Sequence, residues 1–198
     1  KVVLADSLAP LVDQYYAQPS AFGGSIAWIA NIGFAIQIYG DFAGYSLIAR
    51  GISRWMGFRL MSNFRQPYLA TSPRDFWTRW HRSLSMWLRR YLYFELGGSR
   101  GGQGKTYRNL MITMTLGGLW HGAGWVFILW GGLHGFALAI DRYLSEQHRL
   151  FDNPALRILF IWIWIHLTAL LLIQIGWWTG ALGPEMYGPL LGASLRTG

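Results

Sequence analysis

The sequence predicts an all-α integral membrane protein built from transmembrane, re-entrant and interfacial amphipathic helices, and three observations carry that expectation. Hydrophobic residues make up 53% of the 198-residue chain and charged residues only 13%, about half the charge of a soluble domain. Twelve tryptophans and ten tyrosines supply the amphipathic rings that collect where water meets lipid. Uncharged runs of membrane-crossing length alternate with basic amphipathic stretches. The chain starts at Lys1 without an initiator methionine, so residues 1–198 are expected to form part of a single membrane domain whose earlier helices are missing.

The net charge of +8 is directed at lipid headgroups rather than nucleic acid, because the basic residues lie beside apolar runs and no nucleic-acid motif is present. With no cysteine there is no disulfide, thiolate nucleophile or cysteine metal site, and no metal is expected. No signal peptide is visible.

Taken in order, Lys1 to Tyr16 reads as an amphipathic interfacial helix around Leu8, Leu11, Val12 and Tyr15, with Pro10 near its start. Gly23 to Gly40 carries no charge and approaches the ~20 residues of a spanning helix. Asp41 to Gly57 is a separate amphipathic stretch with Arg50 and Arg54 one turn apart. Twelve of the seventeen Lys and Arg lie from Arg50 to Arg108, against Asp41, Asp75 and Glu95. The positive-inside rule therefore puts segment 41–109 on the cytoplasmic side of a multi-pass protein.

Ser72 is a good N-cap, Pro73 suits the first helical position and Asp75 completes a variant capping box. One helix is expected from Ser72 to Phe94, lying in the membrane surface. At ~100° per residue, Trp77, Trp80, Leu84, Trp87, Leu88 and Tyr91 share an arc, with Arg79, Arg82, Arg89 and Arg90 opposite. His81 falls in the apolar arc, an unexpected place for a surface histidine.

Leu96 to Asn109 reads as a flexible basic loop. Its Gly97 to Gly101 matches G-x-S-x-G, but no strand precedes Ser99 and no helix follows directly, so a nucleophile elbow is not expected. Gly104, Lys105 and Thr106 mimic the end of a phosphate-binding loop, but Ser99 stands where its first glycine belongs.

The run from Asn109 to Ile140 is uncharged and Gly- and Trp-rich. Its roughly thirty residues exceed one untilted crossing at ~1.5 Å per residue, leaving a re-entrant hairpin or a long tilted helix. His121 sits at its glycine-rich break. His121 and His134 are thirteen apart, ~220° around an unbroken helix, so they share a site only if the helix breaks. Ile158 to Trp178 could span again, with His166 a packing residue, and Thr179 to Gly198 reads as loop.

In KVVLADSLAPLVD, DFAGYSLIARG, FWTRWHRSLSMWLRRYLY with LGGSR, and LGGLWHGAGWVFILWGGLHG, the chain resembles the membrane-bound O-acyltransferase superfamily. The resemblance is to its alginate O-acetylation branch, which includes teichoic acid D-alanyl transfer proteins. It covers most of Lys1 to Tyr143, is densest over 41–143, and implies that family's helical bundle. It also implies that His121, of W-H-G, is catalytic, that His81, of R-W-H, is a second functional position, and that His134 has a weaker supporting role. Trp120, Trp80, Arg79 and Asn109 are expected as supporting or substrate-lining residues. The family commonly has R-D-Y-L-Y and then proline where this chain has Arg89, Arg90, Tyr91 and then Phe94 and Glu95, and the match fades beyond Arg149.

Apolar surroundings disfavour a charged imidazole, and a neutral one can take a proton. The resemblance therefore implies transfer of an acyl group, acetyl above all, to hydroxyls of an exported polysaccharide at a bacterial inner membrane, with His121 as general base. No bound cofactor is expected; acetyl-CoA or another activated acyl donor would be the co-substrate, its anionic form suited to the basic segment. Expected partners are membrane lipid, the polysaccharide acceptor and an extracytoplasmic acetyltransferase, with no nucleic acid. The rival is a non-catalytic channel or transporter component whose histidines line a polar passage, supported by the glycine-broken central run.

Overall fold

The computed structural model describes residues 3–17, 21, 24–146, 155, 158–159, 161–165 and 168, and all regular structure among them is helical. Two compact units divide the chain: Lys1–Ser62 with Ile173–Gly198, and Asn63–Leu172. His166 and most of the expected 158–178 span and the tail lie outside the described residues.

The first unit pairs α1 (Ala5–Ala17) with α2 (Gly24–Trp55). They run antiparallel, because a Cβ on Gly40 would meet Leu4 and Ala5 while one on Gly33 would meet Val12. Val12, Tyr15, Tyr16 and Ala30 form the seam, with Phe34 packed edge-on against Tyr16. Leu11, expected on the apolar face, is instead 65% exposed.

The expected boundary at Gly40 is absent. Gly24 to Trp55 is one helix of 32 residues, because an interior glycine costs only ~1 kcal/mol relative to alanine and no proline interrupts the run. Its segment Ser25–Trp55 is long and apolar enough to cross a membrane.

The second unit begins with a single 3-10 turn, Pro67–Leu69, and then α3 (Pro73–Arg79). Ser72 caps α3 as its sequence predicts: its hydroxyl accepts the Asp75 N–H at 3.0 Å. The expected continuous helix to Phe94 does not form. Trp80 is extended, His81 is left-handed at φ 40°, and α4 runs from Arg82 to Leu88. Residues Arg89–Tyr93 continue as a π-helical turn, in which the Phe94 N–H reaches back to the Arg89 carbonyl.

α5 (Gln103–His121) starts inside the stretch expected as loop. It and α6 (Trp125–Glu146) resolve the central run into a helical hairpin. The two helices touch backbone to backbone: a Cβ on Gly118 would strike the Phe127 carbonyl oxygen, and one on Gly131 the Met114 carbonyl oxygen. Gly135, one turn beyond Gly131, comes within 3.1 Å of the Met111 Cα in the same sense. Small residues four apart allow this close approach. Gly118, one of the glycines at the expected break, is thus part of the contact surface, together with Gly131 and Gly135.

Candidate functional site

The hairpin turn at Gly122–Gly124 solves the problem posed by two histidines thirteen residues apart. His121 ends α5, and its ring meets Trp130 of α6 edge-on with centroids 5.0 Å apart. Trp130 and His134 lie one turn apart on α6, with centroids at 4.6 Å. Both imidazoles therefore rest on one indole.

The pattern extends in both directions. Trp120 contacts His121 at 4.9 Å and His81 at 6.3 Å. On the other side His134 meets Trp77 of α3 at 5.1 Å and Trp164 at 4.8 Å. Imidazoles and indoles thus alternate from His81 through Trp120, His121, Trp130 and His134 to Trp164. The i, i+4 spacing of Trp130 and His134 was legible; the convergence of Trp77 and Trp164 on them was not.

The three histidines differ in surroundings. His121 is exposed and lines a cavity of about 470 Å³, whose walls include Arg74, Arg82, Arg89, Arg142 and Trp130. His134 is buried among its tryptophans and is not among the residues lining that cavity. Its Nδ1 and the Trp77 indole nitrogen have no hydrogen-bond partner among the described residues. His81 is half-buried, with Nδ1 3.4 Å from the Ser83 hydroxyl. Burial, and then the neighbouring His121, hold the His81 imidazole below its ordinary pKa, so it is neutral at neutral pH.

Arg74 is partly engaged, its side chain 3.9 Å from the Asp141 carboxylate. With Arg82, Arg89 and Arg142 it gives the cavity that His121 lines four arginines along its wall. Such a wall suits an anion. A second cavity, about 530 Å³ against Arg54, Phe58 and Arg59, has no group able to take up a proton at neutral pH. Among the described residues no three His, Asp or Glu converge in a way that could hold a metal ion.

The remaining candidates occupy structural positions. Trp80 stacks on Phe76 at 5.6 Å and meets Phe64 edge-on at 5.1 Å. Arg79 pairs with Asp75 through Nε at 2.7 Å. Burial pushes the Asp75 carboxyl up, but hydrogen bonds from Arg79, the Thr71 N–H and Thr78, with the Arg79 charge, hold it below its ordinary value. Asn109 is fully buried, and its amide donates to the Leu96 and Gly98 carbonyls at 2.9 Å each. It shapes the loop carrying Ser99, which lines the cavity although no strand precedes it. Arg74, Arg82, Arg89 and Arg142 were not singled out as site residues, since the folding that joins residues 74 and 142 leaves no local pattern.

A family model described as MBOAT, membrane-bound O-acyltransferase family, matches residues 5–175. A probable alginate O-acetylase AlgI from Azotobacter vinelandii is 49% identical over 177 residues, covering 89% of this chain and 34% of that protein. A peptidoglycan O-acetyltransferase from Helicobacter pylori is 42% identical over 159 residues, 80% of this chain and 30% of its own length. A teichoic acid D-alanyltransferase from Streptococcus thermophilus is 32% identical over 149 residues, 71% and 35% respectively. The chain spans about a third of the length of these curated relatives.

Proposed function

Since this chain belongs to the membrane-bound O-acyltransferase family, we propose that it carries the reacting centre of an enzyme that esterifies hydroxyls of an exported polysaccharide, acetyl being the acyl group. The observation that carries the reading is His121 at an arginine-walled cavity. A polysaccharide acceptor is supported by relatives named for alginate and peptidoglycan O-acetylation, both nearer in identity than the D-alanyltransferase.

In the reaction proposed here His121 is the general base. It takes the proton of the acceptor hydroxyl as that oxygen attacks the acyl carbonyl. A tetrahedral oxyanion forms, the bond from carbonyl carbon to the donor's sulfur breaks, and the proton passes from the imidazolium to the departing thiolate. General base catalysis of this kind contributes roughly 10² to 10⁴ in rate. Arg74, Arg82, Arg89 and Arg142 would hold the phosphates of an anionic donor such as acetyl-CoA. His81 would polarise the acyl group or orient the acceptor, and His134, enclosed by indoles, would fix Trp130 beneath His121.

The proposed setting is a multi-pass protein of a bacterial inner membrane, with α2 crossing the bilayer, α3 and α4 at its cytoplasmic surface and the α5–α6 hairpin embedded. At ~1.5 Å per residue the 32-residue α2 outruns the ~30 Å hydrocarbon layer, bringing Arg50 and Arg54 to the headgroups. Partners proposed with it are lipid, the polymer and an extracytoplasmic acetyltransferase. A passive His-lined passage has less support, because Gly118, Gly131 and Gly135 serve helix contact and His134 is shut in by tryptophan.

The test is His121→Ala in the full-length protein, scored by acetate released from the polymer with mild base. Esters should fall by at least a hundredfold while protein level and membrane insertion hold. Unchanged esters would remove His121 from the chemistry.

A further inference from the structure

Among the described residues two that are not glycine hold a left-handed backbone, Gln66 at φ 47° and His81 at φ 40°. That conformation is costly for any residue with a Cβ and persists only where the surroundings impose it. Both flank one short junction. There the Arg65 N–H donates to the Arg79 carbonyl and the Arg82 N–H donates to the Asn63 carbonyl, each at 3.0 Å. The Ser83 N–H donates to Asn63 Oδ1 at 3.1 Å.

These bonds do the work of a helix cap. The first N–H groups of any helix lack intrahelical partners and are usually satisfied by the side chain of the residue just before it. His81 occupies that position for α4, yet its side chain makes no capping bond. Asn63, eighteen residues upstream, supplies both acceptors instead, one from the main chain and one from the side chain. The imidazole is thereby released from capping and turned toward Trp120 and the Ser83 hydroxyl. Glycine would adopt this backbone freely, so the strain at residue 81 is explained by what its ring does.

We infer that Asn63 is a positioning residue for acyl transfer: it caps α4 from a distance, locks His81 in its left-handed turn, and through Ser83 fixes the orientation of the imidazole. The inference rests on the reading of His81 as part of the transfer site. Asn63 Oδ1 holds the backbone N–H of Ser83, and the hydroxyl of that same residue faces His81 Nδ1 at 3.4 Å. A hydroxyl in that place can donate to or accept from Nδ1, so the contact holds the position and plane of the ring and leaves Nε2 facing away from Ser83.

The experiment uses full-length protein in lipid with Asn63→Leu, Asn63→Ala, Asn63→Asp, Ser83→Ala and His81→Gly. Readouts are kcat and donor KM for transfer, and the ring-nitrogen NMR shifts of labelled histidine. Asn63→Leu should lower kcat about tenfold to a hundredfold, the scale of a misplaced reacting group, with KM within twofold and the His81 ring resonances shifted. Asn63→Asp, which keeps an acceptor at the same place, should recover most of kcat, as a general loss of structure would not allow. If Asn63→Leu does not fold, Asn63→Ala carries the test, since it keeps the main-chain acceptor and loses only Oδ1; a lowered kcat that Asn63→Asp restores supports the positioning role. An unchanged kcat or unchanged His81 resonances in the folded Asn63 variant overturns it. His81→Gly separates the two levels. If it abolishes transfer while the Asn63 and Ser83 variants work normally, only the positioning role fails; if it transfers normally, the role of His81 fails and this inference with it.

Discussion

Alanine at Gly118 and at Gly132 separates contact from propensity in the α5–α6 hairpin. Both glycines are interior to helices, so each substitution gains the same ~1 kcal/mol of helix propensity. Their surroundings are opposite. A Cβ at Gly118 would run into the Phe127 carbonyl oxygen and within 3.0 Å of the Gly131 backbone, whereas one at Gly132 meets nothing within 4 Å. The atoms in the way at Gly118 are main chain and cannot rotate aside, so the helices must part. Overpacking of this kind costs ~1–3 kcal/mol. The propensity gain cancels when the two variants are compared, leaving Gly118→Ala less stable than Gly132→Ala by about that cost. Tryptophan fluorescence during thermal unfolding of the full-length protein in detergent measures it, and Gly132→Ala should equal or exceed wild type. Separation would also draw Trp130 away from His121, now 5.0 Å apart, so transfer should fall with stability in Gly118→Ala alone. Equal stability of the two variants, or Gly118→Ala the more stable, would refute the backbone contact.

Two further outcomes follow from the α3 cap and the Ser99 loop. The Asp75 pKa is lowered on folding by its partners, so its stabilisation is complete above the unfolded carboxylate range near pH 4 and is lost as pH falls through the lower folded value. Asp75→Asn should flatten the acid limb of an unfolding curve while leaving stability above pH 6 nearly independent of pH; an unaltered acid limb would contradict the Arg79 and Thr71 bonds. Asn109→Leu removes two donors from the Leu96 and Gly98 carbonyls, and with ~1 kcal/mol per bond plus the cost of stranded acceptors the loss should be about 2–4 kcal/mol. Proteolysis near Ser99 should rise in step, and unchanged protection would show that the loop is held by other contacts.

The helical class and the Ser72 cap were legible because hydrophobic content and N-cap chemistry are local. The hairpin was one of two readings left open: thirty uncharged residues with glycines at the middle can tilt or turn, and only the tertiary contacts of Gly118, Gly131 and Gly135 decide. The break at His81 was hidden for a different reason. Residues 72–94 carry a helical period and no glycine or proline at 80 or 81, and what stops the helix is Asn63, remote in sequence. The cavity was illegible in the same way, since Arg74 and Arg142 meet one wall only after α3 packs near α6.

The two helix ends give the histidines different electrostatic settings. His121 is the last residue of α5, where the unpaired carbonyls favour positive charge. His81 stands before the first turn of α4, at the end whose N–H dipoles, two of them bonded to Asn63, oppose it. In the proposed reaction the base must hold a proton transiently in an arginine-lined cavity, and a helix C-terminus favours that charge. A group that polarises an acyl carbonyl as a neutral donor needs the reverse, which burial and then the neighbouring His121 supply at His81. The proposed roles, His121 as base and His81 as neutral partner, are thus in keeping with where the chain breaks its helices.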